Sequence, residues 1–237
     1  MFDKTVFTSD LVNRSIIGIN KNGTPISSGG TTCWYVNGRD LSDNTEVLSA
    51  TAKYAVDFMI ENGLATDGLD AVLGVPEGAL DLGKEINRRL IEGGYIKNKL
   101  YIPRIVPKEH GNPKAKFWIN GNVPGLVVPF EDTVTTGDSV FLKMIDRLRE
   151  SGVRVEAVLG MVDRLHLKDG LTVEERFEGE GLKFYSMTDA RLLLSELVGR
   201  IIDPEERIFV ISMLNREFQK MYEDAGRESP INLEELK

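Results

Sequence analysis

Short apolar runs that read as strands alternate with amphipathic stretches through the middle of this chain, and few folds accept that order. "LDAVLGV" precedes the helical pattern "ALDLGKEINRRLIEGG", which Gly93 and Gly94 close, and "KLYIPRIV" comes next. "GLVVPF" and "VRVEAVLGMV" flank a second helical pattern from Val140 to Ser151, and "KFYSM" is a late short strand. Continuous apolar strands separated by helices require a mainly parallel sheet covered on both faces. Upstream, "EVLSATAKYAVDFMIENG" places Val47, Leu48, Ala52, Ala55, Val56 and Met59 near one helical face, with Gly63 where the helix would stop. The expected class is α/β.

The chain of 237 residues is long enough to bury a real core. Its 29 Lys and Arg against 37 Asp and Glu give a net charge of −8, which argues against general nucleic-acid binding. Cys33 is the single cysteine, so no internal disulfide can form, and His110 and His166 leave little for a zinc site. The start "MFDKTVFTSD" lacks the pattern of a signal peptide, and no apolar run is long enough to span a membrane, so a cytoplasmic location is expected.

Two segments stand apart. Residues 107 to 124, "PKEHGNPKAKFWINGNVP", form a long connection without periodicity, with Lys108, His110, Lys114 and Lys116 concentrated in it. Loops of that length often act as lids. After residue 194 a tail is expected as a separate helical extension, dividing the chain into 1–194 and 195–237. In it Asp203 caps a helix with Pro204 at the first position, and Ile208, Ile211, Leu214, Phe218, Met221 and Tyr222 make an apolar stripe up to Gly226.

The stretch "VVPFEDTVTTGDS", Val127 to Ser139, carries the chemistry. Glu131 and Asp132 fall at the carboxyl end of a strand, where open parallel sheets bind ligands. Thr133 to Ser139 then lead into a helix N-terminus, whose free N–H groups favour a phosphate. Thr135, Thr136 and Ser139 add hydroxyl donors, and Gly137 lets the backbone turn tightly. Two carboxylates would repel a phosphate but accept hydrogen bonds from a sugar diol, so the ligand reads as a ribose 5-phosphate unit. A capped helix after a strand with solvated acids is the plainer alternative.

That stretch resembles the phosphoribosyl-pyrophosphate motif of the type I phosphoribosyltransferases. Four further segments, in order, are similar to the orotate phosphoribosyltransferase family. They are "ISSGGTTCWYVNGRDL", "GVPEGALDLG", "RIVPKEHG" and "MVDR", so the likeness covers about residues 15 to 190. The resemblance implies a mostly parallel sheet flanked by helices with a small N-terminal hood. It also implies transfer of a phosphoribosyl group to orotate, with release of pyrophosphate, as in pyrimidine biosynthesis.

The same resemblance implies roles. Glu131 and Asp132 bind the ribose hydroxyls. Thr133, Val134, Thr135, Thr136, Gly137, Asp138 and Ser139 bind the 5-phosphate, and Thr135 also touches the base. Arg104, Lys108 and His110 meet the pyrophosphate, Pro76 and Glu77 lie in a second pyrophosphate-side loop, and Lys108, His110 and Asp132 are the catalytic group. Ser27, Trp34, Tyr35 and Arg164 form the orotate site. Mg²⁺ is held mainly by substrate oxygens, and the assembly is a homodimer. Read from the residues alone, Trp34 and Tyr35 could instead be core aromatics, and Asp163 with Arg164 a surface ion pair. Where the family carries a lysine this chain has Ser27 and Ile105, and Glu77 stands at an often basic position. Transfer to another base, or a module that senses phosphoribosyl pyrophosphate without chemistry, are the alternatives.

Overall fold

The computed structural model of the chain describes residues 1–25, 31–41, 43–76, 78–96, 110 and 125–236. Helix α1 (Lys4–Asn13) leads into an antiparallel hairpin of β1 (Ile17–Pro25) and β2 (Thr31–Val36), and a 3-10 turn (Gly38–Leu41) precedes α2 (Thr45–Glu61). The main unit follows: β3 (Ala71–Gly74), α3 (Leu80–Glu92), β4 (Leu126–Val134), then a helical run of α4 (Asp138–Val140), a π-helical turn (Phe141–Ile145) and α5 (Asp146–Glu150). The chain continues through β5 (Arg154–Val155), β6 (Ala157–Asp163), α6 (Val173–Gly179), β7 (Lys183–Asp189), α7 (Ala190–Gly199) and α8 (Pro204–Glu223).

Strands β3, β4, β6 and β7 neighbour one another in that order, β5 also pairs with β4, and every pairing in this sheet is parallel. The sheet is flanked by helices, as the alternation of segments implies, and the β1–β2 hairpin stands off as the small hood. The strand expected at "KLYIPRIV" lies outside the described residues. Among the described residues no helix is long and apolar enough to cross a membrane.

Strand β4 is bonded on both sides, and Val127, Val128 and Phe130 are buried. It contains Pro129, which has no N–H to give a ladder. On one side β4 pairs with β5 up to Val127 and with β6 only from Phe130 onward, so the proline falls where the neighbouring strand changes. On the outer side of β3, the buried Asn87 of α3 accepts from the Val72 amide at 2.8 Å and donates to the Val72 carbonyl. It thus satisfies both peptide groups of a strand residue and fixes α3 against β3. Gly83 and Gly74 make that approach close, since a Cβ on Gly83 would stand 2.6 Å from the Gly74 nitrogen.

The division expected after residue 194 falls inside α7, which runs unbroken from Ala190 to Gly199. Nor does α8 form a core of its own. Its Val210, Ile211, Leu214, Phe218 and Tyr222 join a cluster containing Phe7 of α1, Trp34 of β2 and Met161 of β6. Ile208, expected in the apolar stripe, is 47% exposed, and Val210 takes its place in the core. Removing a fully buried Phe218 ring leaves a cavity that neighbours fill only partly. Phe218→Ala should therefore lower global stability by about 3–5 kcal/mol in urea titrations of the whole chain. An appended helix with its own stability would leave the main transition unmoved.

Candidate active site

Parallel register brings three strand ends to one edge. Gly74 of β3 lies beside Phe130, and Val134 of β4 beside Asp163 of β6. Beyond β3 the chain turns tightly, with the Val75 amide on the Phe130 carbonyl and the Ala79 amide on the Val75 carbonyl. Pro76 and Gly78 are in this turn, and Glu77 lies outside the described residues. Helix α3 begins just after it with no side-chain cap, so its first N–H groups point toward the turn unbonded by a capping residue.

The acid pair lies near the carboxyl end of β4, two residues before Val134 closes the strand. Glu131 is 8% exposed and faces Gly160 across the ladder, and Asp132 is half-buried on the other face. The Asp132 carboxylate lies between two glycines: a Cβ on Gly38 would stand 2.0 Å from it, and one on Gly78 3.1 Å. Only glycine lets both backbones come that near. The hood and the pyrophosphate-side turn therefore meet over the acid that the sequence nominates for the ribose.

Thr133 and Val134 complete β4, Thr135 to Gly137 form the turn, and Asp138 and Ser139 open α4. Gly137 has φ of 81°, a left-handed conformation that glycine adopts without a Cβ penalty. The Thr133 hydroxyl is buried with no hydrogen-bond partner among the described residues. Thr136 donates to Asp138 at 3.0 Å. Asp138 at first looks wrong beside a phosphate. Its carboxylate, however, accepts from Arg176 at 2.8 Å and lies 3.8 Å from the Lys168 ammonium. Arg176 also bonds the Thr136 carbonyl. Burial pushes the Asp138 acid up, but Arg176, Thr136 and Lys168 outweigh that and hold it below the usual carboxylate range. Neither Arg176 nor Lys168 was nominated from sequence.

The base side departs most from expectation. Trp34 and Tyr35 were expected to flank a ring together, but successive residues of a strand point to opposite faces. Trp34 is fully buried, and the Arg164 guanidinium lies 3.9 Å from its ring centroid. Tyr35 lies on the other face with its ring against Gly18. In this conformation the two aromatics cannot sandwich one base, and Trp34 is the core aromatic that the residues alone allowed. Nor is Arg164 in a surface pair: it is 3% exposed and donates to the Thr32 hydroxyl at 2.8 Å and the Trp34 carbonyl at 3.2 Å. Burial lowers it to about 10, which still leaves it charged at neutral pH. Leu165, with φ of 56°, turns the chain sharply after it.

Glu217 of α8 completes this cluster, and sequence reasoning passed over it. It accepts from the Thr32 hydroxyl at 2.7 Å and from the Cys33 amide and thiol at 3.0 and 2.9 Å. The buried His166 ring is 3.6 Å away, too far for a hydrogen bond. Burial opposes ionisation of Glu217, but His166, Cys33 and Thr32 outweigh it and bring the carboxyl down to about 2. Burial and the same carboxylate push the Cys33 thiol well above its usual range, so it is an inert neutral group. The available signal was position: Glu217 lies three residues after Leu214 and four before Met221, at the margin of the apolar stripe.

His110 is exposed. Ser27, Arg104 and Lys108 lie outside the described residues. Among the described residues no cluster of three or more His, Cys, Asp or Glu side chains could hold a metal ion. The carboxylates present offer hard oxygens of the kind magnesium accepts in ones and twos beside substrate phosphates.

Comparison with known proteins agrees with this frame. No family model matches the chain. An orotate phosphoribosyltransferase of Nostoc sp. is 32% identical over 162 residues, covering 67% of this chain and 71% of its own. One from Bradyrhizobium sp. is 30% identical over 192 residues, covering 78% and 94%. Among solved structures, the orotate phosphoribosyltransferase of Aeropyrum pernix superposes with a TM-score of 0.59 at 25% identity, covering 81% of this chain and 97% of that one. Leishmania donovani UMP synthase, of which the chain spans 42%, gives 0.64 at 20% identity over 90% of this chain, a likeness of fold alone. The fold is that of a type I phosphoribosyltransferase. Within that class, the chain belongs to the orotate phosphoribosyltransferase family.

Asp163, next to Arg164, gives a pH test of the site's foundation. Burial raises its carboxyl to about 6, with the Leu165 amide opposing and Asp189 adding to the rise. A folded-state value above the unfolded 3.8 means the stabilising contribution is complete below about pH 4 and is lost as pH climbs through 6. Asp163→Asn keeps an acceptor for the Leu165 amide, bonded at 2.8 Å. It should raise the unfolding free energy at pH 7.5 by up to about 3 kcal/mol and change it little at pH 4. Equal effects at both pH values would contradict the assignment.

Proposed function

We propose that the protein transfers a phosphoribosyl group from phosphoribosyl pyrophosphate to orotate, giving orotidine 5'-monophosphate and pyrophosphate. One observation carries the proposal: β4 carries Glu131 and Asp132 in its last four residues and leads, through Thr135, Thr136 and Gly137, into a helix N-terminus. Family membership supplies the base and the sugar donor.

In this reading the 5-phosphate takes the N–H groups and hydroxyls of Thr133 to Ser139, with Arg176 and Lys168 holding Asp138 aside. The ribose diol donates to Glu131 and Asp132, and the pyrophosphate lies toward Pro76, Glu77, Gly78 and the first turn of α3. Arg104, Lys108 and His110 neutralise charge on the departing pyrophosphate as the bond from the anomeric carbon to its oxygen breaks. The base nitrogen then forms the new bond to that carbon. Preorganised charge of this kind is usually the largest part of catalysis. Mg²⁺ bound to substrate oxygens supplies further neutralisation there. Closure of residues 107 to 124 would exclude water from a donor that water hydrolyses. Ser27, Tyr35, Thr135 and Arg164 remain the residues proposed around the base. A homodimer and a cytoplasmic location complete the proposal.

Transfer to a different base is the second reading, and one observation favours it: the Glu217 carboxylate already shares the donors around Arg164.

The test is pyrophosphate release with phosphoribosyl pyrophosphate and Mg²⁺, with and without orotate. Orotate-dependent release should fall by at least ~10²-fold in Lys108→Ala, as for loss of a preorganised charge contact, and comparably in Asp132→Asn. Release indifferent to orotate, or unchanged in both variants, would sink the proposal.

A further inference from the structure

The C-terminal helix α8 does more than close the core, for it brings a carboxylate to the base side of the site. Thr32 has one hydroxyl hydrogen, and the geometry places it on Glu217 Oε1 at 2.7 Å, leaving an oxygen lone pair for Arg164 Nη2 at 2.8 Å. Cation, hydroxyl and carboxylate thus form a polarised chain inside the protein. Glu217 takes the Cys33 amide as well. The Thr32 hydroxyl, the Cys33 amide and the Cys33 thiol are all spent on this one side chain.

The cluster is not sealed. Glu217, Thr32, Cys33, His166 and Thr136 of the phosphate loop line a common cavity of about 820 Å³, with Lys168 also on its wall. His166 Nε2 and Arg164 Nε are buried without hydrogen-bond partners among the described residues. His166 lines that cavity, and its unmatched buried nitrogen is what a polar ligand there would satisfy, while Arg164 lies behind Thr32.

We propose that Glu217 is a specificity-determining residue, a resident carboxylate that takes the Thr32 hydroxyl hydrogen, sets Thr32 to accept from Arg164, and opposes by its charge the carboxylate of an incoming base beside that arginine. This rests on the reading of the site as one for phosphoribosyl transfer to a carboxylated base. Glu217 meets Arg164 through the Thr32 hydroxyl, and a second carboxylate brought to that guanidinium is repelled by the charge of the first. A base bearing a carboxylate must overcome that repulsion, whereas a base without one need not.

The experiment compares steady-state kinetics of the wild-type chain and Glu217→Gln with orotate and phosphoribosyl pyrophosphate varied in turn. Glutamine keeps the shape and removes the charge. The expected result is an orotate KM lower by ~10-fold or more, with kcat and the KM for phosphoribosyl pyrophosphate unchanged. An orotate KM that is unchanged or raised, or a shift shared by both substrates, overturns the proposal. Should Glu217→Gln not fold, as thermal unfolding would reveal, Glu217→Asp draws the charge back and should lower the same KM by a smaller factor; no change overturns it. If wild-type protein does not turn over orotate, the functional reading fails by itself. Orotate Kd measured by calorimetry on the same pair of proteins then decides the role of Glu217. Tighter binding by the glutamine variant supports it, and no measurable difference overturns it.

Discussion

The placement of β4 between two parallel neighbours is the constraint on which the rest of the site depends. A parallel ladder fixes which residues lie side by side, and here it sets Gly74, Phe130 and Leu159 level across three strands. Everything chemical then follows from where each strand stops. β3 turns at Val75, β4 runs on through Glu131 and Asp132, and β6 ends at Asp163 with the Arg164 amide on the Val134 carbonyl at 2.9 Å. A slip of one residue would exchange the faces of Glu131 and Asp132 and separate Arg164 from the loop. Pro129 shows how closely the register is tolerated, because its missing donor coincides with the change of neighbour from β5 to β6.

A second network ties the hood to the body. Arg164 comes from β6, Thr32 and Cys33 from β2, and Glu217 from α8, so three distant parts of the chain meet in one hydrogen-bonded chain. Such buried networks are strong when every member is matched and costly when one is lost. The apolar side of α8 joins the same core as β2 and α1, which positions Glu217 without help from a flexible tail. Packing and charge thus act together: burial of Phe218 and Leu214 places the helix, and the helix places the carboxylate.

The parts legible in sequence were those with periodic or local causes. Apolar runs broken by helices announced the parallel sheet, and α2, α3 and the strands β3, β4, β6 and β7 follow them. The acid pair and hydroxyl loop were readable because strand, acids, glycine and helix are contiguous between Val127 and Ser139. The hairpin β1–β2 was not foreseen, since "IGINKNGTP" alternates weakly and its pairing is broken between Ile19 and Thr24. The boundary after 194 failed because α7 is apolar enough to look like both a domain end and a tail start. Trp34 and Tyr35 were paired by adjacency, whereas the pleat separates them. Arg176, Lys168 and Glu217 escaped notice because their partners are 38, 30 and 185 residues away in sequence. Spacing carries no trace of contacts that only the tertiary fold creates.

The charge balance of the base side gains meaning from these contacts. The family resemblance implies a positive residue on the base side where this chain has Ser27, and others in the catalytic and pyrophosphate-side loops where it has Ile105 and Glu77, and α8 adds a further carboxylate close to Arg164. Neighbouring cations do not simply restore the balance. Lys168 is committed to Asp138, and Lys21 forms an ion pair with Glu206 at 2.5 Å. Arg216 and Lys220 line the cavity, but both are exposed, where water weakens their field. The effect of Glu217 is felt where the dielectric is low and that of the outer lysines where it is high, so the inner carboxylate dominates at the buried end of Arg164. In the proposed reading a phosphate at Thr133 to Ser139 is shielded from this by Arg176, so the departures of this chain fall on the base and pyrophosphate sides and leave the 5-phosphate loop unaltered.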